Sequence, residues 1–118
     1  MFDHVGLRVR NLEASVAFYR SALAALGHVP GAAGDGYAGF GPPAAPTLWL
    51  HESQDASGAH VAFSARDRAA VDEFHRRGLA AGGRDNGAPG LRPDYGPNYY
   101  AAFVIDHDGN NLEAVCFE

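Results

Sequence analysis

The chain has a single cysteine, Cys116, so no disulfide can form within its 118 residues and the fold must rest on buried apolar surface. One thiol also fits a reducing compartment. Basic charge is not gathered anywhere: the arginines are scattered, the formal net charge is −5, and the electrostatic footprint that nucleic-acid binding requires is missing. No apolar run approaches the roughly 20 residues of a membrane span. The first residues read as a strand and contain no signal-peptide core. These absences lead us to expect a soluble cytoplasmic protein with no membrane or nucleic-acid partner. What is present is a hydrophobic fraction of 47%, enough for a real core, with 15 Gly and 7 Pro placed as turn punctuation. The length suits one domain.

An internal repeat is the most informative feature. DHVGLRV, from Asp3, matches AHVAFSA, from Ala59, which sets His4 against His60 at an offset of 56 residues. The same offset sets Asn11 against Asp67, Phe18 against Phe74, Arg20 against Arg76 and Leu23 against Leu79. One register kept through a strand, a turn and a helix indicates duplication. The halves divide at about residues 1–56 and 57–118, and each reads as βαβββ, giving an α+β fold.

In the first half, Val5, Leu7 and Val9 alternate with His4, Gly6 and Arg8, the period of a half-buried strand. Asn11 is a helix cap, because its side-chain oxygen can accept a free amide of the first turn. Leu12, Val16, Tyr19, Leu23 and Leu26 follow at helical spacing, and Gly27 suits the helix end. Short strands are expected at His28–Pro30, Tyr37–Phe40 and Thr47–His51. In the second half, His60–Ala65 is the strand and Asp67 the cap. Val71, Phe74 and Leu79 form the helix stripe, which stops at Gly82-Gly83. Strands near Tyr99–Ile105 and Asn111–Phe117 are joined by a turn through Asp108-Gly109, a strong tight-turn signal. The Gly- and Pro-rich stretch Asn86–Pro97 reads as a long loop.

Strand alternation decides which polar side chains can meet. If Val5, Leu7 and Val9 pack under their helix, His4 projects from the opposite face, and His60 does the same in its own strand. In the last strand Leu112, Ala114 and Cys116 are the apolar set, which leaves Glu113 opposite. His4, His60 and Glu113 therefore fall on one face, concave if the sheet curls. Two histidines and a carboxylate leave coordination positions open and suit Zn, Ni, Mn or Fe(II).

HVGLRVRNLEASVAFY, HVAF and DHDGNNLEAV resemble the vicinal oxygen chelate superfamily, which includes glyoxalase I, bleomycin-resistance proteins, fosfomycin-resistance thiol transferases and extradiol dioxygenases. The likeness covers nearly the whole chain, and D-x-D-G-N-x-L-E, Asp106 to Glu113, is its most specific piece. The resemblance implies two βαβββ modules forming a curled, cup-like mixed sheet with helices on the outer face. It also implies a homodimer and a divalent metal held by the first and last strands of each module. Those positions are His4, Trp49, His60 and Glu113. Trp49 departs from the pattern, since an indole is a donor only and cannot ligate. A strict glyoxalase I reading thereby loses a ligand and a candidate base. The thiol-transferase reading loses its threonine, which is Gly6 here, and Arg92 is the only cation in the long loop.

Other residues follow from face and family. Trp49 is expected to line the cup and contact substrate, with packing the competing role. Tyr37 projects into the cup. Tyr99 shares the cup face if its strand keeps the alternation of Phe103, and is the candidate catalytic donor; Tyr100 replaces it if the register slips. Arg92 and Tyr95 are lid and substrate contacts on the loop. His28, His75 and His107 read as surface residues. The resemblance implies a metal-dependent enzyme acting on a small oxygenated molecule, of lyase, isomerase or thiol-transferase type. The alternatives are a metal-free drug-sequestering protein of the bleomycin-resistance kind, an extradiol dioxygenase, and a structural dimer with a vestigial site.

Overall fold

Both sequence-read caps bound helices. In this computed structural model, which describes residues 2–56 and 58–118, Asn11 accepts the Ala14 amide at 3.0 Å and starts α1 (Leu12–Ala24). Asp67 accepts the Ala70 amide at 2.9 Å and starts α2 (Arg68–Ala80). Each such cap is worth about 1 kcal/mol. Gly27 and Gly82 follow the helices with φ of 85° and 101°, the left-handed geometry in which glycine is unstrained.

Around each helix four strands form one mixed sheet. In the first module β1 (Val5–Val9) runs parallel to β4 (Leu48–Glu52), which pairs antiparallel with β3 (Tyr37–Gly41), and β3 with β2 (Val29–Gly34). The second module repeats the plan: β5 (His60–Ser64) beside β8 (Asn111–Phe117), then β7 (Tyr99–Ile105) and β6 (Arg84–Leu91). The orders β1-β4-β3-β2 and β5-β8-β7-β6 describe two separate four-stranded sheets, neither closed into a barrel. The α+β, two-module architecture read from the repeat is therefore the architecture of the molecule.

Two boundaries differ from the sequence reading. The stretch expected as a loop over Asn86–Pro97 contributes most of β6, and only residues 92–98 turn. Its ladder with β7 is irregular between Asp85 and Gly87 and again between Gly87 and Gly90. Pro89, which has no N–H, is tolerated because β6 is an edge strand. Similarly β2 extends to Gly34, beyond the expected Pro30.

Each helix covers one face of its own sheet, and the two helices pack on one another. A single hydrophobic cluster draws on both modules, with Phe18, Tyr19, Leu50, Phe74, Val104 and Leu112 all almost wholly buried. Burying one such side chain stabilises by about 1.5–3 kcal/mol. Among the described residues no helix is long and apolar enough to cross a membrane.

The β7–β8 turn fastens the modules together. Asp106, 4% exposed, accepts the amides of Asp108 and Asn110 on one oxygen, both at 2.8 Å. Its other oxygen accepts the Asn110 side-chain amide at 2.8 Å and, from α1, the Tyr19 hydroxyl at 2.5 Å. Asp108 accepts the Arg10 backbone N–H at 2.9 Å and its guanidinium at 3.3 Å, while Arg10 reaches the Ala56 carbonyl at 2.5 Å. Asn110 accepts the Ala59 amide at 2.9 Å. The family-like motif thus ties α1, the end of β1 and the connection between modules to the second sheet. Gly109, with φ of 85°, permits the tight return.

Candidate metal centre

On the face of the second sheet opposite α2, period-two alternation brings four side chains together. His60 is the first residue of β5, and Glu113 lies one strand over in β8. Glu113 Oε1 is 3.1 Å from His60 Nε2, and the Tyr99 hydroxyl donates to Glu113 Oε2. Phe103, directly across the ladder from Glu113, stacks on the His60 ring with centroids 6.4 Å apart at 23°. Tyr100, one residue along, points the other way and donates to Asp72 of α2 at 2.6 Å. The register therefore puts Tyr99 with the His60–Glu113 pair.

These groups surround a cavity of about 430 Å³, completed by Tyr95 and Asn111. The Glu113 side chain is 4% exposed and that of His60 52%, so the carboxylate forms the floor and the imidazole the wall. A buried carboxylate is costly without a positive or donating partner. Tyr99 supplies one such donor. Burial, and then the adjacent Glu113 carboxylate, push its phenol up to about 12, so at neutral pH it is a proton donor. His60 Nδ1 donates to the Asn111 carbonyl at 3.0 Å, which fixes the ring. In the neutral tautomer this leaves the Nε2 lone pair facing a carboxylate oxygen. A proton or a cation between them resolves that opposition. A backbone carbonyl behind one nitrogen and a free second nitrogen is the usual setting of a metal-ligating imidazole.

His4 is not part of this group. It precedes β1, its side chain is 61% exposed and bonds the neighbouring Asp3 carboxylate at 2.8 Å. It lines a second cavity, of about 230 Å³, with Phe2, Val5, Thr47 and Phe63. Among the described residues no three His, Cys, Asp or Glu side chains of one chain converge as a metal site. Trp49 and Tyr37 lie on the open face of the first sheet, 6.2 Å apart between ring centroids. Arg92 sits 5.4 Å from the Phe103 ring centroid. It donates to the Gly90 and Ala88 carbonyls at 2.9 and 2.7 Å, bracing the end of the β6–β7 hairpin. Tyr95 meets Tyr99 edge-on at 5.3 Å.

Sequence reasoning passed over Phe103 as a wall and Asn111 as the orienting carbonyl. Pairing β7 against β8 from Glu113 would have found the first; the second, a backbone contact, carries no residue-type signal. The other histidines need one revision. His107 is exposed, but the His75 side chain is largely covered and pairs with Asp85 at 2.9 Å, and His28 is half-buried. They are not simply surface residues, because the β6 edge and the end of α1 cover them.

The profile of the glyoxalase/bleomycin resistance protein/dioxygenase superfamily matches residues 1–114. The chain belongs to that superfamily. Among solved structures, a glyoxalase/bleomycin resistance protein from Albidiferax ferrireducens T118 is similar at 33% identity and a TM-score of 0.85, with 98% of this chain and 97% of that one covered. A superfamily enzyme from Burkholderia phytofirmans PsJN shares the fold at 17% identity and a TM-score of 0.76, with 98% of each chain covered. A glyoxalase-related enzyme from Fulvimarina pelagi does so at 21% identity and 0.73, with 94% and 84% covered. No curated protein matches the chain. Superfamily membership accounts for the paired modules, and for the placement of His60 and Glu113 on neighbouring strands of one of them.

Proposed function

We propose that the protein is a divalent-metal-dependent enzyme acting on a small oxygenated molecule. In this reading each metal is held by His60 and Glu113 of one chain and by His4 of a second copy in a homodimer. The observation that carries it is the half-complete donor set: a buried carboxylate and an oriented imidazole share a cavity, with no third ligand from the same chain. The donor types fit Zn, Ni, Mn or Fe(II). Bound there, such an ion supplies Lewis-acid stabilisation of negative charge developing on a substrate oxygen.

The chain's own residues do the rest. Glu113 is held in place by Tyr99 and His60, and the Asn111 carbonyl fixes the His60 ring. The Tyr99 hydroxyl, protonated at neutral pH, is positioned to donate to an oxyanion as it forms. Tyr95 and Phe103 wall the cavity and limit water around it. A glyoxalase-like lyase or isomerase, or a thiol transferase, matches this arrangement better than ring cleavage, because one donor and one buried carboxylate suffice. A cytoplasmic setting is part of the same reading.

Elemental analysis of desalted protein tests the proposal. His4→Ala, His60→Ala and Glu113→Ala should each lose a near-stoichiometric first-row metal, while His107→Ala keeps it. Mixing His4→Ala with Glu113→Ala chains should restore metal to half of the heterodimer sites, since one site there has all three ligands. Equal metal content in all variants sinks the proposal. A metal-free wild type with an unchanged melting temperature in Mn, Ni, Zn or Fe(II) favours drug sequestration instead.

A further inference from the structure

The open face of the first sheet carries a different arrangement, which the metal reading does not use. Neighbouring strands place Gly6, Trp49 and Gly39 in one row and Arg8, His51 and Tyr37 in the next. Trp49 is thus flanked by glycine on both sides. Its ring lies over Gly39, where a Cβ would stand 2.7 Å from the indole, and Gly39 is buried beneath it. Tyr37 lies flat over Gly34 in the same way, its ring 2.4 Å from where a Cβ would be.

Because Trp49 leans toward Gly39, the floor over Gly6 is uncovered. Gly6 is exposed, and a Cβ built on it meets only the His51 ring, at 3.6 Å. Two residues along the same strand is Arg8, exposed and without an ion pair among the described residues. The result is a glycine-floored notch with an indole on one side, an imidazole against the floor and a free guanidinium at the end.

We propose that this notch binds a planar aromatic carboxylate, its ring beside Trp49 over Gly6 and its charge on Arg8. Glycine is the one residue that leaves the pleat flat enough for a ring to lie on it. An unpaired guanidinium presents a fork matched to a carboxylate. The chain as a whole carries −5, so an anion is drawn to this face only by these local groups. The inference goes beyond the metal reading and does not rest on it.

Trp49 is the sole tryptophan, so its fluorescence reports on this face alone. The probe is 4-nitrobenzoate, an efficient quencher, titrated into the full chain with and without EDTA. Saturable quenching is expected, unchanged by EDTA, with binding about tenfold tighter than that of neutral 4-nitrobenzyl alcohol. Arg8→Gln should erase that preference. Gly6→Val should weaken both probes about tenfold by filling the notch. Arg8 is exposed, so its variant remains informative if Gly6→Val fails to fold. Non-saturating quenching, equal affinity for the two probes, or an anion preference that survives Arg8→Gln overturns the proposal. Quenching abolished by EDTA also overturns it, and would instead place the probe on a metal, as the first reading requires.

Discussion

Two buried carboxylates of the second module sit only seven residues apart, and their surroundings differ in kind. Asp106 accepts from four donors, among them Tyr19 of the other module. Glu113 has two partners, Tyr99 and His60, and a cavity beside them. A buried carboxylate whose acceptors are filled by its own chain is part of the frame. One left with room and an oriented imidazole is a place for something else to bind. The most specific stretch of the family-like motif contains both, so its residues divide between structure and chemistry rather than serving one end.

The sharpest break in this comparison is Asp106→Ala, which leaves the buried Tyr19 hydroxyl and two amides without an acceptor. It should cost at least about 3 kcal/mol in denaturant unfolding. Next comes metal itself. At a hundredfold excess over Kd, a metal bound only by the native state should add about 2.7 kcal/mol, read as a rise in melting temperature. Glu113→Gln should abolish that increment. In metal-free buffer the same variant should change stability by less than about 1 kcal/mol, because the amide keeps an acceptor for Tyr99. A large metal-free loss would make Glu113 structural, like Asp106.

Smaller still is Tyr19→Phe, expected to cost about 1–2 kcal/mol near neutral pH. Its pH dependence gives a second check. Burial, and then the Asp106 carboxylate, raise the Tyr19 phenol well above its ordinary value. The native state then holds this proton more tightly than the unfolded chain does. The stabilisation is fully present below about pH 10 and is lost as pH rises beyond it. Stability of the wild type should therefore fall more steeply above pH 10 than that of Tyr19→Phe, in parallel urea titrations.

Much of this was legible in the residues. The offset that pairs His4 with His60 also gave both helices and their caps, and alternation set His60, Glu113 and Tyr99 on one face before any coordinates. Strand β6 was not legible, because glycine, Pro89 and two irregularities hide its period, and an edge strand needs less of one. The separation of His4 from Glu113 was not legible either. Alternation within a strand says which way a side chain points, but the placement of one module against the other depends on contacts such as Tyr19 with Asp106.

That contact joins residues 87 positions apart. Contacts so distant in sequence close late, after local structure has formed, because the intervening chain must first be ordered. Each module can gather its own helix and strands by shorter loops, so the clamp is expected to form after the folding barrier. Tyr19→Phe should then leave the refolding rate nearly unchanged and speed unfolding by about tenfold, as stopped-flow chevrons would record. The hydroxyl of one tyrosine would thus set how long the two halves stay joined, with little say in how quickly they meet.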